Sequence, residues 1–152
     1  MEKSVKDLLE VLGEEFGGED ADIRTYSPLT LAYIGDGIYD LIIRTLMVRH
    51  GNCQPNKLLK RTSALVKASA QAEMMERIMD KLTEEELAVY KRGRNAKSYT
   101  MAKNATMKDY RKATGFEALM GYLYLKHETE RMVSLVKLGL PDGWNHDNRA
   151  QE

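Results

Sequence analysis

Cysteine and histidine are scarce in this chain of 152 residues, which has one cysteine and three histidines. Cys53 has no second cysteine for an internal disulfide, and His50, His127 and His146 do not have the spacing of paired zinc ligands. A glycine-rich loop of the kind that cradles phosphates is also missing. The sequence therefore gives no support for thiol, zinc or nucleotide-loop chemistry.

Long apolar runs are missing as well. The two longest apolar stretches, residues 29–43 and 116–125, are interrupted by acids or glycine and fall short of the roughly 20 residues that span a bilayer. Residues 1–4 carry no apolar run of the kind that a signal peptide needs. We therefore expect no membrane segment, and the cytoplasm is the expected compartment.

Proline occurs only three times, and none interrupts the stretch between Pro55 and Pro141. Long proline-free stretches favour helices over a turn-rich β fold. With 43% hydrophobic and 30% charged residues, the chain can bury one ordinary core. The sequence predicts a single all-α domain.

Local signals predict where the helices lie. Ser27 and Pro28 begin a helix of about 28–49, and Thr83 with Glu86 forms a capping-box pattern that begins another. Gly93 is predicted to end that second helix. A further helix is expected from Pro55, either continuing past Ala70 or breaking near it. Two more are expected over about 115–127 and about 128–138, and residues 94–106 are expected to form a loop or a broken helix.

The charges are unevenly distributed, although the formal net charge is zero. Residues 1–24 hold eight acidic and three basic residues, a net charge of −5, whereas residues 91–112 hold eight basic residues against Asp109, a net charge of +7. A basic run is often only a solvated surface, but it is also what a polyanion would bind.

Two acids lie in the predicted helix 28–49, which is apolar on nearly all sides and is therefore expected to be buried. Asp36 and Asp40 are four residues apart, so their carboxylates share one side of the helix. A buried ionised acid needs a partner or a metal. Arg44 can pair with Asp40, but Asp36 has no such local partner.

Glu117 is the only charged residue in the stretch 116–125, so it too is expected to be buried. One reading is structural: Thr114 three residues earlier would be an N-cap, with Glu117 as its capping-box partner. The other is functional. Gly35, Gly37 and Gly121 would let two helices approach closely and bring Asp36 and Glu117 together, and two converging carboxylates without His or Cys suit Mg²⁺.

Several blocks in order resemble the ribonuclease III family. The segment LAYIGDGIYD, residues 31–40, is similar to the signature helix of that family, and TGFEALMGYLYL, residues 114–125, is similar to its second acidic helix. Residues 57–73 and 91–98 are similar to the Mini-ribonuclease III branch, which has the catalytic domain without a double-stranded-RNA-binding domain. The resemblance covers roughly residues 25–138.

The resemblance implies a single helical endonuclease domain over 25–140, after an acidic, partly helical segment 1–24 and before a polar tail 141–152. It implies a homodimer that cuts both strands of an RNA duplex, leaves a 5′ phosphate and a short 3′ overhang, and uses Mg²⁺, with Mn²⁺ as a substitute. The implied substrate is precursor large-subunit ribosomal RNA.

Residue by residue, Asp36 and Glu117 fall on the catalytic, metal-binding acids of the family. Two further acids of full-length ribonuclease III would fall at Ala32 and Thr114, so the number of metal ions stays open. Asp40 and Arg44 are expected to support the site from just outside it. Phosphate contacts are expected from basic residues, first Arg92, Arg94 and Lys97, then Lys60, Arg61, Lys67 and Arg111.

Two other functions stay open at this point. The chain could be a non-catalytic RNA-binding module, in which Asp36 and Glu117 only pair with core cations. It could also be an all-helical nucleotide pyrophosphatase, although that class usually needs more clustered acids than the run Glu84, Glu85 and Glu86 supplies.

Overall fold

The computed structural model describes residues 7–18, 21–97 and 106–145, and these form helices and turns without a β-strand. The all-α prediction is confirmed. Two short 3₁₀ turns, Ile23–Thr25 and Met79–Lys81, accompany seven α-helices. The helices are α1 (Leu8–Phe16), α2 (Pro28–Arg49), α3 (Pro55–Val66), α4 (Ala68–Ile78), α5 (Glu84–Asn95), α6 (Met107–Leu125) and α7 (Thr129–Gly139).

Helix α2 begins and ends where the sequence predicts. Ser27 is the N-cap, its side chain accepts a hydrogen bond from the backbone of Thr30, and Pro28 occupies the first turn. The prediction that α2 is buried on all sides is wrong. One side of it faces the core, whereas Tyr33 and Val48 on the other side are 82% and 63% exposed.

Helix α6 is the central element and packs against α2, α4, α5 and α7. Its contact with α2 includes an edge-to-face pair between Tyr39 and Phe116, whose ring centroids lie 5.0 Å apart. It begins at Met107, eight residues earlier than predicted, because Thr106 supplies the N-cap. Part of the predicted 94–106 loop, residues 98–105, lies outside the described residues.

The other boundaries are set by packing as much as by local sequence. Helices α3 and α4 separate at Lys67, three residues before the expected break at Ala70. The capping box of Thr83 and Glu86 is confirmed at the start of α5. Gly93 does not end α5, since the helix continues past it and an added Cβ there would lie 2.8 Å from the Cβ of Ala118.

Helix α1 lies in the acidic N-terminal segment and has no buried residue. The polar tail 141–152 is described only as far as residue 145, and the rest of it lies outside the described residues. Among the described residues, no helix is both long and apolar enough to cross a membrane.

Candidate active site

The close crossing of α2 and α6 depends on two glycines. A Cβ at Gly35 would overlap the carbonyl oxygen of Glu117 and lie 2.8 Å from the backbone nitrogen of Gly121. A Cβ at Gly121 would overlap the carbonyl oxygen of Leu31. The two backbones therefore touch where no larger residue fits. Gly37 differs from the expectation, because an added Cβ there would meet no described atom within 4 Å.

This crossing brings the two predicted carboxyl groups into hydrogen-bonding contact. Loss of hydration, with the hydrogen bond and the charge of Asp36, raises the pKa of Glu117 to about 9, while a hydrogen bond from Gln71 acts in the opposite direction. Glu117 therefore holds a proton at neutral pH in the absence of metal. Two carboxyl groups in contact stay doubly charged only when a cation compensates them.

Asp36 is not buried, contrary to the expectation from its apolar neighbours. It lies on the exposed side of α2, and Glu117 approaches it from the half-buried side of α6. The pair therefore sits at the border between core and solvent, where a large substrate can reach it. A carboxylate at this border does not require a positively charged core side chain as its partner.

The predicted pair of Asp40 and Arg44 is present. Arg44 Nε lies 2.7 Å from an Asp40 carboxylate oxygen, and the two side chains are 56% and 34% exposed. A surface pair of this kind contributes about 0.3–0.5 kcal/mol. This ion pair begins one helical turn after Asp36, and its geometry does not indicate a chemical role.

The capping-box reading of Glu117 is wrong. Thr114 lies inside α6, and its hydroxyl donates a hydrogen bond to the carbonyl of Tyr110 one turn earlier. An N-cap residue instead precedes the helix and accepts from its first turn, as Thr106 does from Asp109. Glu117 therefore has no capping role, and its proximity to Asp36 is the contact that requires an explanation.

Gln71 completes the surroundings of the pair, and the sequence reasoning missed it. Its side chain is 3% exposed, and its Nε2 donates to the carbonyl oxygen of Val66 at 2.8 Å as well as contributing the hydrogen bond to Glu117. Its Oε1 has no hydrogen-bond partner among the described residues. The available signal was a lone amide between Ala70 and Ala72 on a helix whose neighbouring inward positions are apolar.

These groups fit a hard divalent cation. Carboxylate and amide oxygens are the ligands that Mg²⁺ prefers, and Mg²⁺ usually keeps several waters and takes only one or two carboxylates from the protein. Asp36 and Glu117 would supply those two carboxylates. The buried Oε1 of Gln71 is an acceptor that such a water could satisfy.

The basic residues divide into two regions. Arg94 and Arg111 line a cavity of about 360 Å³ between the end of α5 and the start of α6, together with Lys108 and Lys112. Lys112 is held 2.7 Å from Glu76, so its charge is partly compensated. Arg92 and Lys97 are exposed and are close to these residues in the sequence. The second region lies on or just after α3 and does not line this cavity; it comprises Lys60, Arg61 and Lys67.

The chain is similar to known proteins. The family model described as "Ribonuclease III domain" matches residues 29–128. The Mini-ribonuclease 3 of Clostridium tetani is 50% identical over 148 residues, covering 91% of this chain and 97% of the relative. That of Thermoanaerobacter sp. is 47% identical, covering 92% and 96%.

A solved structure is also similar. The crystal structure of a protein from Fusobacterium nucleatum superposes with a TM-score of 0.69 at 34% identity, covering 76% of this chain and 93% of that one. Because the relatives from Clostridium tetani and Thermoanaerobacter sp. are ribonucleases, the two other functions that the sequence left open, a nucleotide pyrophosphatase and a non-catalytic RNA-binding module, are set aside. The chain therefore belongs to the ribonuclease III domain family, within its Mini-ribonuclease 3 group, and is an endoribonuclease.

Proposed function

We propose that this endoribonuclease cuts double-stranded RNA with the help of Mg²⁺, which Asp36 and Glu117 hold, within a catalytic domain over residues 25–140. The observation that carries the proposal is the contact between these two carboxyl groups where α2 and α6 cross. Mn²⁺ also prefers oxygen ligands, so we expect it to replace Mg²⁺ at this site.

The chemistry divides between the cation and the protein. A bound divalent cation lowers the pKa of water and compensates charge that develops on a phosphate. Asp36 and Glu117 bind and orient that cation. Glu117 must release its proton to do so, and the hydrogen bond from Gln71 favours the charged carboxylate that results.

The RNA is proposed to lie along the basic residues at the junction of α5 and α6. A-form RNA is recognised mainly by its shape, its phosphates and its 2′-hydroxyls, and side chains cannot read its narrow major groove. Exposed cations such as Arg92 and Lys97 suit phosphate contacts of this kind, as do Arg94 and Arg111 beside the cavity. We therefore expect weak discrimination between sequences.

Replacing Arg92, Arg94 and Lys97 together by Ala should weaken affinity for duplex RNA across all sequences. Each lost phosphate contact should also reduce the slope of log affinity against log salt by up to about 0.9, because fewer counterions are released on binding. A salt titration of RNA binding by the wild type and the triple variant measures both effects.

A matched control removes the same charge elsewhere, by replacing the exposed Arg49, Lys81 and Lys137 with Ala. The control should keep most of the affinity and the salt slope. Equal losses in the two triple variants would mean that only net charge matters and that this surface is not the RNA face.

A homodimer is the proposed assembly, because each chain offers one carboxylate pair and a duplex has two strands. An exposed apolar row on α2, which does not include Asp36, has the character of an interface. Leu29, Tyr33, Leu41 and Val48 are all exposed on it, and the open Gly37 lies within the same row. A second copy would cover this apolar row, and Gly37 would permit a close approach.

Sedimentation should report about twice the 17.3 kDa chain mass. Tyr33→Glu should convert the dimer to a monomer, since it places a charge in the centre of the apolar row. Leu138→Glu on α7, at a position 49% exposed, serves as the control and should remain dimeric. A wild-type monomer that still makes paired cuts in a duplex would contradict the assembly.

The natural substrate is proposed to be precursor large-subunit ribosomal RNA, cut in the cytoplasm where bacteria make it. The test compares this precursor with unrelated duplex RNA and with nucleoside triphosphates, each incubated with the protein and Mg²⁺. Specific cuts in the precursor at lower enzyme concentration than in the unrelated duplex are expected. Hydrolysis of the triphosphates alone would contradict the proposal.

A further inference from the structure

We propose that Gln71 is a positioning residue of this site, whose side-chain amide holds the Glu117 carboxyl through Nε2 and offers Oε1 to a water carried by the divalent cation. This inference rests on the proposed function, because it assumes that Glu117 binds a cation. It adds a residue that neither the acidic motifs nor the family resemblance assigns.

The first argument is the position of the amide. Gln71 lies in the first turn of α4, and α4 packs directly against α6. At 3% exposure its side chain cannot turn into solvent, so its amide has a fixed orientation. Its Nε2 donates to the carbonyl oxygen of Val66, and the same side-chain amide forms a hydrogen bond with Glu117, which connects the carboxyl to the end of α3.

The second argument is that a purely structural role leaves half of the amide unexplained. The carbonyl of Val66 is left without a helical partner where α3 ends, and one N–H of Gln71 satisfies it. That role does not require Oε1, which is buried and finds no hydrogen-bond partner in the part of the chain that the structure describes. Native proteins rarely bury an unpaired acceptor, and those that occur call for an explanation such as an ion or its water.

The third argument is the chemistry of the ion. Mg²⁺ gives up its waters reluctantly, so a site with two protein carboxylates leaves several waters that need acceptors. Oε1 belongs to the same planar group as the Nε2 that contacts Glu117, so it lies beside the carboxyl that would hold the ion. Groups that orient metal ligands in this way typically change metal affinity by about 10–100-fold when removed.

The test is Gln71→Met, which keeps a similar volume and flexibility but removes the amide. Calorimetric titration with Mg²⁺ should show affinity about 10–100-fold weaker than wild type. The Mg²⁺ concentration for half-maximal cleavage should rise by the same factor, and saturating Mg²⁺ should restore most of the turnover. A lowered unfolding temperature with an unchanged Mg²⁺ affinity would overturn the proposal and leave Gln71 as a cap of α3.

Ile78→Val is the matched control on α4, since Ile78 is fully buried and is not among the groups around Glu117. It should lower the unfolding temperature without changing the Mg²⁺ affinity. A parallel change of Mg²⁺ affinity in this variant would attribute the effect of Gln71→Met to general destabilisation.

Two further measurements separate this inference from the proposed function. In the wild type, the side-chain amide resonances of Gln71 should shift during an Mg²⁺ titration, and their constancy would overturn the inference even if Gln71→Met does not fold. Glu117→Gln tests the metal site itself. If that variant keeps full Mg²⁺ affinity, the proposed metal site fails; if it loses affinity while Gln71→Met does not, only the inference about Gln71 fails.

Discussion

Asp36→Asn and Glu117→Gln should each abolish cleavage of duplex RNA while the protein stays folded and continues to bind RNA. An amide keeps the shape of the carboxyl but loses the negative charge that is proposed to hold the cation. RNA affinity should persist, because we have proposed that the basic residues carry it and not this pair. Cleavage at saturating Mg²⁺, RNA binding and thermal unfolding, measured on the same preparations, check the three parts of the expectation.

The stability of the metal-free protein should distinguish chemistry from a structural role. Because the pKa of Glu117 is raised to about 9 in the folded chain, the folded state binds the proton more tightly than the unfolded state does. Between about pH 4.5 and 9 the unfolded chain has released this proton, whereas the folded chain still holds it. The stability of the folded state should therefore fall as the pH rises through this range. Glu117→Gln removes this loss and should be at least as stable as wild type at pH 8.

Glu73→Gln provides the control for a lost carboxylate. Glu73 is exposed on α4 and pairs only loosely with Arg77 at 3.6 Å, so its loss should change stability by at most about 0.5 kcal/mol and leave cleavage intact. A loss of about 3–5 kcal/mol in Asp36→Asn would instead indicate a core cation left without its partner. Full activity in either amide variant of the pair would end the catalytic assignment.

Gly35→Ala and Gly121→Ala should be the most destabilising single changes at the site. Each adds a methyl group where the backbones of α2 and α6 already touch, and a backbone atom cannot move aside as a flexible side chain can. The expected cost is about 3 kcal/mol, at the upper end for overpacking, even though Ala favours a helix over Gly by about 1 kcal/mol. Chemical denaturation of each variant measures the change.

Gly13→Ala in α1 is the matched control, since an added Cβ there would meet nothing within 4 Å. This change should be neutral or slightly stabilising, by up to about 1 kcal/mol. Variants at Gly35 or Gly121 that do fold should also lose cleavage, because separating α2 from α6 separates Asp36 from Glu117. A stable and active Gly35→Ala protein would contradict the role of the crossing.

The sequence alone determined those features that depend on residues within one helical turn. Ser27 and Pro28 fixed the start of α2, and Thr83 with Glu86 fixed the start of α5, because capping is a contact between neighbours in the chain. Asp36 and Glu117 were identifiable because each is a charge in an apolar pattern. Their convergence was predicted from the glycines around them, although only Gly35 and Gly121 serve the crossing.

Only the tertiary structure decided what each helix packs against. The sequence indicated Thr114 as a helix cap, whereas α6 begins at Met107 after the N-cap Thr106, and Thr114 lies buried inside the helix. Gly93 resembles a helix end but is the point where α5 meets α6. Gln71 meets Glu117 across 46 residues of sequence, and no local pattern encodes such a contact, since it exists only once α4 and α6 pack together.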